Sequence, residues 1–386
     1  MRLRAAALLC TVLVANVAAP AQAHAGARHR RPPAATPFGF VGMNVDGPLL
    51  APGVDLGPVF AAMQASGVQS VRTAFNWALA QPVAFGPFDF SQSDRLVALA
   101  AAHGMTVLPI VMYCPPWAAV TPRDPGTIDV PADPATYAAY AAALVHRYGP
   151  QGSFWASHPR LPRRPIHMWQ IWNEPGFDFY WPQPFAASYV PVLAAAHAAI
   201  KAADPTAQVV LPGFPDWAWQ FLATIYEQGG GVQRDFDVVA AHPYTQNPVN
   251  VIRFLRLMRT EMRRNGDGAK PIMITETGWN SSVGHHPSDS FCCQTTRAGQ
   301  AAAVRTLLPL LGAHRVSEHL QGFYYYTWAG LDDDGGFSFD FAGLFDDQLG
   351  RLVPKPAYAA FRSGALALER CRRPGRLAGR CAVPRR

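Results

Sequence analysis

Ile166-His167-Met168-Trp169-Gln170-Ile171-Trp172-Asn173-Glu174-Pro175 and Pro271-Ile272-Met273-Ile274-Thr275-Glu276-Thr277-Gly278-Trp279 follow one plan. Each is an apolar run of buried-strand length that runs straight into a carboxylate, and each is followed by a helical pattern. Six more runs repeat the theme: Phe38–Asn44, Val68–Phe75, Thr106–Met112, Gln208–Leu211, Phe236–Ala241 and Gly322–Trp328. Helical segments alternate with them at Leu56–Ser66, Ser93–His103, Pro134–Tyr148, Pro184–Ala203, Trp217–Gln228, Val249–Asn265, Thr295–His314 and Pro356–Leu368. Some carry end signals. Asp133 precedes Pro134 as a cap before proline at the first helical position, and His103-Gly104 and Asn265-Gly266 close helices with residues that tolerate left-handed backbone. Eight strands alternating with eight helices define an α/β chain, a single (β/α)8 TIM barrel. The competing doubly wound open sheet calls for a glycine-rich phosphate loop after the first strand, and Gly42-Met43-Asn44 is not one.

Composition agrees with a large buried core. Of 386 residues 49% are hydrophobic and 15% charged, which excludes wholesale disorder. The net charge of +7 misleads, because residues 1–31 carry five Arg and residues 370–386 seven, with no acid in either. Without those twelve, 21 basic residues face 26 acidic ones, so the body is mildly acidic and nucleic-acid binding is not expected of it. Residues 1–23 read as a signal peptide. Met1-Arg2-Leu3-Arg4 is basic, Ala5–Ala19 is apolar apart from Thr11 and Asn16, and Ala21-Gln22-Ala23 offers small residues for cleavage. That run is shorter than the roughly 20 residues of a membrane span. A secreted protein, free of the membrane after cleavage and monomeric, is therefore expected, with residues 24–37 a flexible leader, 38–369 the catalytic domain and 370–386 a basic tail. Export permits disulfides. Cys371 and Cys381 flank a short loop and are expected to pair, and Cys114 could reach Cys292 or Cys293, leaving one thiol over.

In a barrel the chemistry gathers where strands end. Those positions hold Asn44, Asp46, Arg72, Asn76, Trp77, Tyr113, Trp117, Asn173, Glu174, Asp216, Trp217, His242, Tyr244, Glu276, Trp279 and Trp328. Strands four and seven lie across the barrel mouth, so Glu174 and Glu276 would face each other over a cleft. Glycoside hydrolysis needs that pairing: one protonated acid for the leaving oxygen and one ionised group at the anomeric carbon. The tryptophans offer flat apolar faces for sugar rings, with Trp279 and Trp328 nearest the second carboxylate. Trp169 and Trp172 read as core. His285-His286 lacks a third ligand at a useful spacing, and Asp332-Asp333-Asp334-Gly335-Gly336 lacks the ligand count of a calcium loop, reading as a solvated rim. No metal or cofactor is expected.

Trp172-Asn173-Glu174-Pro175, Glu276-Thr277-Gly278-Trp279, Arg72, His242-Pro243-Tyr244 and Trp328 together resemble clan A of the retaining glycoside hydrolases. Gly343-Leu344-Phe345-Asp346 through Lys355-Pro356-Ala357-Tyr358 resembles the way many clan members finish. The resemblance runs from about Phe38 to Leu368 and is most like family 39 or a family 5-type, cellulase-like enzyme. It implies a retaining β-glycosidase acting on a polysaccharide or oligosaccharide, which the signal peptide read at residues 1–23 would export. Glu174 would be acid/base and Glu276 nucleophile, Asn173 would hold the sugar 2-hydroxyl, and Arg72 and Tyr244 would position the nucleophile. Substrate contacts are also expected of Asn76, Trp77, His242, Trp279 and Trp328. One departure is Gly176, where many clan members carry Asn or a similar polar residue after Glu-Pro. A transglycosylase would use the same residues. A non-catalytic carbohydrate-binding barrel would need only the aromatics, and the carboxylate pair argues against it.

Overall fold

A computed structural model describes residues 36–51, 53–120 and 127–369. The expected signal peptide, most of the expected leader and the tail with the expected Cys371–Cys381 pair lie outside the described residues. Of the leader, Thr36 and Pro37 are described, and Thr36 donates from N and Oγ1 to the Leu368 carbonyl at the end of the last helix.

All eight expected strands form, each parallel to the next: β1 Val41–Asn44, β2 Ser70–Asn76, β3 Thr106–Met112, β4 Met168–Ile171, β5 Gln208–Val210, β6 Val239–Ala241, β7 Ile272–Ile274 and β8 Leu320–Tyr325. Their order is β5-β4-β3-β2-β1-β8-β7-β6. Parallel bridges Val210↔Val238 and Phe214↔Ala241 join the two ends and close the barrel. Parallel neighbours need long crossovers, and the helices supply them. The Asp133 carboxylate caps Pro134–Tyr148 by accepting from Ala135 N and Thr136 N, and Gly104 and Gly266 take φ 73° and 84° after their helices. After β8 the chain adds a small sheet of β9 Ala329–Gly330, β10 Phe345–Gln348 and β11 Arg351–Pro354, ordered β11-β10-β9.

Strand periodicity explains where the core changes character. Alternate side chains point into the barrel. Its lower interior is a separate apolar cluster of Leu108, Val210, Val238, Ala240, Met273 and Tyr324. Two residues further along four of these strands, the same inward register carries Ile110, Pro212, His242 and Thr275. With Arg72 and Gln170 from β2 and β4, the apolar plug gives way to a polar layer just below the mouth. The residues between them face outward and join the larger core beneath the helices.

The cysteines differ from expectation. Cys292 and Cys293 are joined to each other, and Cys114 is a free buried thiol. The adjacent pair satisfies itself locally, and Cys114, at the exit of β3, stays in the core. Its thiol is pushed up to about 12 by burial and then by Asp129.

Candidate active site

Arg72 is the hub of the polar layer. It is 1% exposed. Its Nε donates to Gln170 Oε1 (2.7 Å), Nη1 to Asn44 Oδ1 (2.8 Å) and Glu276 Oε1 (2.7 Å), and Nη2 to Asn173 Oδ1 (2.8 Å). A buried guanidinium is tolerable only when its donors are used, and here four acceptors from three other strands or strand ends take them. Gln170 is oriented in turn by donating to the Leu211 carbonyl.

Glu276 leaves β7 into this layer. Its Oε1 takes Arg72, and its Oε2 accepts from the Tyr244 hydroxyl at 2.8 Å. Burial pushes its carboxyl up, and Arg72, followed by Tyr244, pulls it back. Both donors favour the anion.

Glu174 is held differently. The chain turns into left-handed backbone at Trp172 (φ 69°) and again at Glu174 (φ 42°). Such residues cost on the order of 1–3 kcal/mol each, a strain that occurs where a side chain must be aimed. Oε1 of Glu174 meets His242 Nδ1 at 2.5 Å, and the other ring nitrogen lies 2.9 Å from Thr275 Oγ1. Burial is the main cause raising Glu174, opposed by His242 and reinforced by the charge of Glu276. Burial also lowers His242 to about 4, despite Glu174, so the ring is neutral near neutral pH. Ligand atoms of Glu174, His242 and Glu276 all lie within 4.8 Å of one another.

The carboxylates open into a cavity of about 500 Å³. Asn44, Arg72 and Asn173 form its floor with the two acids. Tyr113, Tyr180 and Tyr326 also line it. Burial raises all three phenols, followed by the negative charges of Asp46 and Glu276 at Tyr113 and Tyr326, and of Glu174 and Glu276 at Tyr180. Phe177, Phe179, Phe291, Phe337 and Phe339 complete the wall, with Asp46 and Asp289 among them. The loops after β7 and β8 act as one piece on that side. Gly335 N donates to the His286 carbonyl, Ser288 N to Gly336 and Ser338 N to Asp289 Oδ1.

Of the residues singled out from sequence, Arg72, Asn173, Glu174, His242, Tyr244 and Glu276 are brought together. His242 is fully buried and meets the cavity through the two carboxylates, with Nδ1 at 2.5 Å from Glu174 Oε1 and 3.6 Å from Glu276 Oε2. Four others are placed elsewhere. Asn76 caps the short helix Trp77–Ala80, accepting from Leu79 N. Trp77 is buried, stacked on Tyr140 at 5.7 Å. Trp279 is 1% exposed and donates to the Thr245 carbonyl. Trp328 lies beyond the end of β8, packed against Phe345 and Tyr358. Neither the caps nor these ring contacts leave a face for a ligand. Asp332 likewise is no solvated rim residue; it is buried against Lys355 and Arg297. The cavity tyrosines and phenylalanines, with Gln170 and Thr275, were missed as site residues. Of these only Tyr113 sat at an expected strand end. Gly176 has a local reason: a Cβ there would meet the Phe221 ring at 2.8 Å.

No family model and no curated protein matches the chain. Solved structures do. A family 39 glycoside hydrolase from the gut symbiont Bacteroides cellulosilyticus WH2 is similar over 86% of this chain and 64% of its own, at 19% identity and TM-score 0.62. A monomeric β-xylosidase from Caulobacter crescentus CB15 is similar over 86% and 69%, at 20% identity and TM-score 0.62. The GH53 catalytic domain from Ignisphaera aggregans is similar over 86% and 98%, at 20% identity and TM-score 0.56. At these identities the likeness establishes the fold: this chain has the (β/α)8 barrel found in those glycoside hydrolases. The chain spans about two thirds of the length of the first two.

Proposed function

We propose that the chain is a retaining glycosidase that hydrolyses β-O-glycosidic bonds by double displacement. The observation that carries this is the unequal pair of carboxylates, within 4.8 Å of each other at the ends of β4 and β7. Retaining enzymes hold their carboxyl groups about 5–5.5 Å apart, too close for an intervening water. Glu276, kept anionic by Arg72 and Tyr244, attacks the anomeric carbon. Glu174, whose carboxyl is raised by burial and by the charge of Glu276, gives its proton to the departing oxygen. Formation of the glycosyl-enzyme removes the charge on Glu276. The carboxyl of Glu174 then becomes more acidic and takes a proton from the water that attacks the same carbon, releasing sugar with its original configuration. His242 holds Glu174 in place throughout, and Asn173, fixed by Arg72, offers its remaining amide donors to the ring. The fold shared with a β-xylosidase and a family 39 glycoside hydrolase supports the class. The basic, apolar and small-residue series at residues 1–23 supports export.

The test is turnover of 4-nitrophenyl β-glycosides and β-linked oligosaccharides, with the anomer of the first product read by NMR. Retention is expected. Glu276→Ala should abolish turnover. Glu174→Ala should cost about 10²–10⁴-fold on unactivated glycosides, and on the 4-nitrophenyl glycosides, whose leaving group needs no acid, azide should restore rate by attacking the glycosyl-enzyme, giving a β-glycosyl azide. Product of inverted configuration would overturn the mechanism.

A further inference from the structure

The cavity wall divides by chemistry, and the division bears on what leaves the sugar. The hydroxylated rings Tyr113, Tyr180 and Tyr326 line the cavity beside the carboxylates, and Tyr326 donates to Asp46 Oδ2 at 3.1 Å. Five rings without a hydroxyl, Phe177, Phe179, Phe291, Phe337 and Phe339, line the same space. Two of these reach well into solvent: Phe179 is 49% exposed and Phe337 67%. The chain has ten Trp, and none lines the cavity among the described residues.

Glu174 is the group that protonates the departing oxygen, so the leaving group passes beside it. Phe177 is tied one turn after Glu174, its N donating to the Glu174 carbonyl at 3.0 Å, and Phe179 follows two residues on. Phe291 and Phe339 pack as a tilted pair at 4.8 Å on the loops after β7 and β8, across the barrel, and Phe339 packs edge-on to Tyr326 at 5.6 Å. A second sugar in that position would bring hydroxyls to rings that offer no hydrogen bond, and each desolvated hydroxyl left unpaired costs free energy. An apolar ring there gains aromatic contact and loses nothing polar.

We infer that the enzyme's substrate is a β-glycoside whose aglycone is a flat, uncharged apolar group, with the sugar on the Asn173/Arg72 floor and the aglycone among the phenylalanines. This rests on the hydrolase reading above and narrows the oligosaccharide expectation to a sugar joined to an apolar alcohol. Charge points the same way. Among the described residues Asp46, Glu276 and Asp289 line the cavity as carboxylates beside the acid Glu174, against one guanidinium that is already paired, so an anionic aglycone is disfavoured.

The test compares kcat/KM for the phenethyl, 4-carboxyphenethyl and methyl β-glycosides of one sugar, the one turned over fastest as its 4-nitrophenyl glycoside, with the matching disaccharide. Methanol and 2-phenylethanol are alkanols of like acidity, so their ratio reads the aglycone contact rather than leaving-group ability. The phenethyl glycoside should exceed both the methyl glycoside and the disaccharide by about tenfold or more, and the carboxylate should erase the gain. Phe179→Ala/Phe337→Ala removes two solvent-facing rings, and the phenethyl-to-methyl ratio should fall toward one, with folding checked by thermal melting. Equal rates for phenethyl and methyl, a preferred disaccharide, an equally accepted carboxylate, or a ratio untouched in the double variant would each overturn the aglycone inference while leaving hydrolysis intact. Failure to cleave any glycoside, 4-nitrophenyl ones included, would overturn the hydrolase reading itself.

Discussion

Tyr244 donates one hydrogen bond to Glu276, and that single contact has a predictable effect on pH dependence. The proposed mechanism needs Glu276 ionised and Glu174 protonated, so on that proposal kcat/KM should be bell-shaped, with Glu276 on the acid limb and Glu174 on the alkaline limb. Burial raises both carboxyls above their ordinary 4.5. Tyr244→Phe removes a donor that stabilises the anion. The carboxyl of Glu276 must then rise, moving the acid limb to higher pH, with a loss in kcat of about tenfold to a hundredfold. A pH–rate profile of the variant checks both, and an unmoved acid limb would mean that Tyr244 does not act on Glu276. Sequence alone pointed to these side chains because each closes an apolar run. It missed Gln170 and Thr275, which sit inside such runs. A polar residue within a buried strand has no sequence signal to say which partner satisfies it.

The elements were legible because their periods are short-range. Apolar runs, caps and glycine stops are properties of neighbouring residues, and all eight strands and eight helices appear near their expected places. The loops joining them were not legible, and their close fits are where local rules run out. At Gly213, on the loop after β5, a Cβ would lie 1.7 Å from His242 Nε2. Gly213→Ala should therefore push the imidazole off Glu174 and Thr275. It should cost about 1–3 kcal/mol by overpacking and lower activity in the same variant, read by melting and by kcat/KM. An alanine variant with normal activity would show that the ring does not need this space. The ends of strands matter as much. β8 stops at Tyr325, so Tyr326 lines the cavity, and Trp328, three residues beyond the strand, turns back under β10 and the last helix.

Across the whole molecule the barrel separates stability from chemistry along its axis. The lower plug of Leu108, Val210, Met273 and Tyr324 is an apolar cluster below the polar floor, with Leu108 in register beside Arg72. Met273→Ala should cost about 2–5 kcal/mol through the cavity it leaves, seen as a lower Tm. Below that Tm, KM for the best glycoside should be unchanged. A changed KM with unchanged Tm would reverse the assignment of the two ends. The fold and the carboxylate pair could be read from the chain because they follow from residue order: a strand's hydrophobicity, its direction and what stands at its exit, whereas the place of Arg72, inside β2, was implied by the clan A resemblance. Which aromatic rings face the cavity was decided only in three dimensions. Trp77, Trp279 and Trp328 stand closer to strand ends than Phe177, Phe337 and Phe339 do, yet they do not line the cavity. Whether a ring meets solvent depends on partners brought from distant parts of the chain, Tyr140 over Trp77 and Phe345 and Tyr358 around Trp328. The pairing of Cys292 with Cys293 is by contrast local, between neighbours in the chain, while packing leaves Cys114 buried and free.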